Sequence, residues 1–129
     1  MTRWSVGTLL AVLGLAIALV SAPAGAAKNR DDVRVRGTCT GSSTSKLKLS
    51  EEDGRIEVEF VVDQNRNGVR WNVVLFQNGS RSARLTRVTR APSGSFEARV
   101  VAPNRAGADR FVARATRASG EVCTARASF

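Results

Sequence analysis

Midway along Val69 to Arg90, VRWNVVLFQNGSRSARLTRVTR, the dipeptide Asn78-Gly79 constrains this chain more than any other feature. A two-residue type I′ turn needs positive φ at both central positions, and Asn-Gly reaches them at least cost. Apolar residues flank the turn at every second position. On the approach, Val69, Trp71, Val73 and Leu75 share one side and Asn72, Val74 and Phe76 the other, so this strand is expected to be central and covered on both faces for part of its length. On the return, Ala83 and Leu85 fall on one parity and Val88 on the other, which predicts a bulge near Arg87. The stretch reads as an antiparallel hairpin whose first strand feeds the core and whose second carries arginines outward.

The same period of two recurs along the chain. Val33, Val35, Gly37 and Cys39 alternate with polar residues, as do Leu47 and Leu49, and then Ile56, Val58, Phe60 and Val62. Beyond the hairpin the pattern returns in Phe96, Ala98, Val100 and Ala102, in Phe111, Ala113 and Ala115, and in Cys123, Ala125, Ala127 and Phe129. Gly, Pro, Asn and Ser punctuate the intervals, and after residue 26 no segment carries the i, i+3, i+4, i+7 spacing of an amphipathic helix. Seven to eight short strands at such intervals predict an all-β, antiparallel β-sandwich.

The first residues are expected to lie outside this fold. Arg3 precedes the apolar run Val6 to Val20, and small residues follow at Ala22, Ala24 and Ala26, the order of a general secretory signal peptide whose helix is removed on export. The predicted organisation is a signal peptide over 1–26, a flexible mature N-terminus over 27–32 and one sandwich domain over 33–129. The mature chain, secreted and with no stable membrane insertion after cleavage, has 103 residues and a net charge of +8 from 19 basic and 11 acidic side chains. Its two cysteines, Cys39 and Cys123, read as a disulfide in an exported protein. Closing a loop of about 85 residues restricts the unfolded chain by about 4 kcal/mol.

The tryptophan-bearing strand in VRWNVVLFQNG and the terminal hairpin in DRFVARATRASGEVCTARASF resemble those of immunoglobulin-like and fibronectin type III-like domains. The resemblance spans the chain from Arg55 onward and implies an immunoglobulin-like sandwich. One feature departs from it: the immunoglobulin disulfide joins strands B and F across the sandwich, whereas these cysteines fall in the first and last strands, which can run side by side in this topology, so that the bridge would staple the chain ends together. The whole chain is also similar to small exported actinobacterial proteins, a likeness that implies no activity.

Chemistry is bounded by what the composition lacks. Without histidine or tyrosine, neither Ser-His-Asp nor Cys-His catalysis is available, nor a zinc site that needs imidazole. No enzyme activity, cofactor or metal is therefore expected. Glu57 and Glu59 lie on one side of a strand about 7 Å apart, a separation a carboxylate-dependent hydrolase could use, but cross-strand ion pairing explains them more simply. Asp63, Asn65, Asn67 and Gly68 match the opening of an EF-hand loop, yet the twelfth position is Val74 and no helices flank it, so a tight turn is expected.

Seventeen of the twenty basic residues are arginine, a bias that genome composition alone could produce. Arg81, Arg84, Arg87 and Arg90 follow the Asn-Gly turn; Arg99, Arg110, Arg114, Arg117 and Arg126 lie on or beside later strands, mostly at outward parity. A single sheet face bearing Arg81, Arg84, Arg87, Arg90, Arg99 and Arg114 would attract polyanions. The expected function is a secreted, non-catalytic binding module for an anionic envelope polymer or protein, with a small secreted hydrolase using Glu57 and Glu59, or a structural or competitor-directed protein, as the alternatives. With Trp71, Phe96 and Phe111 assigned to the core, no aromatic platform is expected on that face, and nucleic acid is not the expected partner.

Overall fold

The computed structural model describes residues 31–129, so the signal-peptide reading and most of the expected flexible N-terminus lie outside the described residues. Nine strands follow one another: β1 (Val33–Arg36), β2 (Thr38–Cys39), β3 (Thr44–Glu52), β4 (Arg55–Asp63), β5 (Arg70–Gln77), β6 (Ser80–Val88), β7 (Ser95–Pro103), β8 (Arg110–Arg117) and β9 (Val122–Ser128). Among the described residues there is no helix. All pairings are antiparallel, in a four-stranded sheet β1-β3-β4-β7 and a five-stranded sheet β2-β9-β8-β5-β6.

The inner faces of both sheets are the apolar parities seen in the sequence. Leu47, Leu49, Ile56, Val58, Phe60 and Val62 are buried from one sheet, and Trp71, Val73, Phe111, Ala113 and Ala115 from the other. Trp71 meets Phe96 across the interior with ring centroids 5.9 Å apart, and its Nε1 donates to Gln64 Oε1 at 3.0 Å. Asn78 and Gly79 have φ of 51° and 85°, as the type I′ turn requires.

Three expectations are corrected. The first predicted strand is two, because the chain leaves β1 at Gly37 and crosses to the other sheet as β2; a Cβ on Gly37 would lie 2.7 Å from the Thr124 carbonyl oxygen, so only glycine makes this crossing unstrained. The bulge falls beside the turn, where the register shifts between Leu75 and Phe76 and Ser82 is the extra residue, not near Arg87. Val88 is simply exposed, at 40%. Finally, β5 is central but, among the described residues, covered on one face only: Asn72 is exposed and Val74 and Phe76 are half-buried on the outer side.

Cys39 and Cys123 are directly opposite each other in the β2–β9 ladder and form a disulfide, with Cα atoms 4.0 Å apart. The bridge lies within one sheet and spans 84 positions of sequence. β2 has only two residues, and beside that bond Thr40 exchanges hydrogen bonds with Val122, its N–H donating to the Val122 carbonyl and its Oγ1 accepting the Val122 N–H, each at 2.9 Å. Reducing the disulfide, or substituting Cys39→Ser with Cys123→Ser, is expected to destabilise the domain by about 2–4 kcal/mol and lower Tm by about 10–25 °C. An unchanged melting curve on reduction would contradict the staple.

Candidate functional site

Charge is divided between the sheets. The four strands of the smaller sheet carry six acidic and six basic residues, whereas the five strands of the larger carry eight arginines and no acidic residue. Both described lysines, Lys46 and Lys48, belong to the smaller sheet, so the cations of the larger sheet are guanidiniums throughout.

Strand alternation sorts those eight further. Arg70, Arg81, Arg84, Arg110, Arg114 and Arg126 are exposed on the outer face, and among the described residues none of their guanidiniums has a hydrogen bond or ion pair. Register brings them together: Arg84 and Arg114 flank Val74 on either side of β5, and in the next row Arg81, Phe76, Val112 and Arg126 lie across four strands. Along a strand such rows are about 7 Å apart, and β6 and β8 are separated by about 10 Å across β5. The result is a half-buried apolar floor, Val74, Phe76 and Val112, bordered by unpaired arginines.

The other sequence candidates do not join this face. Arg87 has inward parity opposite Trp71, lies at the open side of the sandwich and donates through Nε to the Glu97 carbonyl at 3.2 Å. Arg90 is in the connection to β7, bridged to Ser95. Arg99 belongs to the other sheet, where it bonds Glu52 at 2.7 Å and Glu57. Arg117 shares the inward parity of Phe111, Ala113 and Ala115: its Cζ lies 5.7 Å from the Trp71 ring centroid and its Nε donates to Glu121 at 2.9 Å. Arg70 and Phe76 were missed as members of the face. Their parity was legible, but membership needed the strand register.

On the four-stranded sheet, Glu57 and Glu59 sit among cations, Glu57 against Arg99 and Glu59 3.4 Å from Lys48. Hydrogen bonds to Glu52, Glu59 and Arg99 hold Glu57 down to about 2, while the same bonds with Glu57 raise Glu52 and Glu59. Glu59 borders a shallow depression of about 220 Å³ that Glu57 does not line. Asp63 closes the calcium-like loop as a turn, its Oδ1 accepting the Asn65 N–H at 3.0 Å.

Two buried carboxylates hold the ends of the arginine-bearing sheet. Asp109 accepts from Gln77 Nε2, Asn78 Nδ2 and the Arg105 N–H, each at 2.9 Å, tying the Asn-Gly turn to the loop before β8. Glu121 accepts from Ser43 Oγ and N and from Arg117, tying the loop after β2 to the β8–β9 turn. Burial pushes both carboxyls up, but the donors aimed at them outweigh it and hold both below their ordinary values. Comparison of the chain with protein-family models and with curated proteins finds no match.

A carboxylate lowered in the folded state contributes stability above its unfolded-state value and loses it as pH falls through the folded value. The urea midpoint is therefore expected to fall as pH drops through and below the ordinary carboxylate range, less steeply in an Asp109→Asn, Glu121→Gln double variant. At neutral pH, Asp109→Ala should cost about 2 kcal/mol, since three donors lose their shared acceptor and of them the buried Gln77 amide keeps only the Pro103 carbonyl. A wild-type midpoint flat across the acid range would contradict this role.

Proposed function

We propose that this protein is an exported, non-catalytic binding module that takes up polyanions through the outer face of the five-stranded sheet. The observation that carries the reading is the charge division: an arginine surplus set by genome composition alone would scatter over both sheets, whereas here one sheet is balanced and the other bears eight arginines with no carboxylate. Six of those arginines are outward and unpaired among the described residues, so their field is available to a ligand. Arginine also suits phosphate and sulfate groups, which its planar fork meets bidentately.

The compartment and fold readings agree with this. A disulfide with no free cysteine among the described residues fits an oxidising environment outside the cytosol. The strand order, with the tryptophan-bearing β5 between β6 and β8 and the terminal β8–β9 hairpin beside it, supports the immunoglobulin-like or fibronectin-like resemblance, with β1 and β2 added at the edges. The ion pairs of Glu57 and Glu59 favour a solvated structural surface over a hydrolytic pair.

The mature protein is expected to be retained on heparin and on immobilised polyphosphate beyond physiological salt, and Arg84→Glu with Arg114→Glu should elute much earlier. Arg36→Glu with Lys46→Glu, an exposed cross-strand pair on the other sheet, makes the same change in net charge and should leave retention nearly unaltered. Elution of the wild type at or below about 0.15 M salt from every matrix would overturn the proposal, as would equal losses in the two variants.

A further inference from the structure

We infer, resting on the polyanion reading, that the outer face of β5 is a track for single-stranded nucleic acid, with Phe76 stacking on a base and the arginines of β6 and β8 holding phosphates. The floor and walls of the track are set by register. Phe76 lies between Arg81 on β6 and Val112 on β8, and Val74 lies between Arg84 and Arg114. Arg110 and Arg126 continue the basic border beyond Val112.

A single strand uses every part of this arrangement. Its bases have π-faces for a half-buried aromatic ring, and its phosphates can meet guanidiniums on either side; stacking platforms set among cations are how sequence-tolerant single-strand binders work. On β6, Arg81 and Arg84 border adjacent rows about 7 Å apart, a spacing of the same order as that between neighbouring phosphates of an extended strand, while on β8 Arg110 and Arg114 lie two rows apart, about 13 Å, within reach of every second phosphate. Guanidiniums, unlike ammonium groups, also stack on bases.

Other polyanions use less of it. A sulfated or phosphorylated wall polymer engages the arginines but offers Phe76 no π-face. A duplex keeps its bases inside and out of the ring's reach. An anionic bilayer would need a broad apolar surface to enter its acyl region, whereas Phe76, Val74 and Val112 are half-buried and bordered by exposed arginines.

The test is fluorescence anisotropy of a labelled oligothymidylate of about 15 nucleotides, within the range one such surface covers. Its competitors are an abasic strand of equal length, inorganic polyphosphate and phosphatidylglycerol vesicles. For about four phosphates held, log K should fall with log salt at a slope of about −3. Phe76→Ala should weaken oligothymidylate binding about tenfold with the slope unchanged. It should leave the abasic strand and polyphosphate unaffected, and Phe76→Trp should restore binding. Arg84→Ala should weaken all three anions and reduce the slope by about 0.7.

If the abasic strand or polyphosphate binds as tightly as oligothymidylate and Phe76→Ala is silent, the nucleic-acid inference falls while the polyanion reading stands. If Phe76→Ala acts only on vesicle binding, the face is a membrane surface and the inference falls. If no anion binds the wild type, both fall together. Matching melting curves for the Phe76 variants keep a folding defect from imitating any of these results.

Discussion

The double pairing of β5 is the constraint on which the rest of this structure depends. Its backbone is bonded to β6 on one side and β8 on the other, so neither neighbour can slip by one residue without turning every side chain to the wrong face. In eight residues this strand sends Trp71, Val73, Leu75 and Gln77 inward and Asn72, Val74 and Phe76 outward. Core and candidate site are therefore two sides of one ladder. The type I′ turn at Asn78-Gly79 sets the register on the β6 side, and Gln77 and Asn78 carry it to Asp109 and the entrance of β8.

A sheet with eight arginines and no carboxylate carries a self-repulsion that the fold must tolerate. Six of the guanidiniums are exposed, where water and salt screen them from one another. The acidic groups nearest this sheet are placed at its ends and below its surface: Glu121 takes Arg117 at one end, and Asp109 is enclosed by amide and backbone donors at the other. Neither neutralises the outer face. The contrast with the four-stranded sheet, where Arg99 and Lys48 are matched by Glu52, Glu57 and Glu59, makes the exposed field a property of one side of the molecule.

Much of the fold was legible because side-chain alternation is a local property. The inward sets Ile56–Phe60, Phe96–Ala102 and Phe111–Ala115 are those the period of two indicated, as are the hairpin turn and the cysteine pair. The errors arose where backbone geometry depends on distant partners. Gly37 looked like one more inward position and is where the chain changes sheets. Val88 suggested a bulge near Arg87, but the bulge sits at Ser82 beside the turn. Of the six candidate arginines, Arg81, Arg84 and Arg114 share the outer face, Arg87 and Arg90 lie off it, and Arg99 is spent on carboxylates of the other sheet.

By itself, the sequence determined the antiparallel class, the hairpin at Asn78-Gly79, the apolar parity of most strands and the residue types available for chemistry, since each follows from near neighbours or from composition. Only the tertiary structure decided which sheet each strand joined, that among the described residues no layer covers the outer side of β5, and that Phe76 lies among arginines with no partner among those residues. Parity tells a side chain which of two directions to take; it does not say what stands there. That depends on pairings between residues far apart in the chain, closed here by β2 against β9, β4 against β7 and β5 against β8.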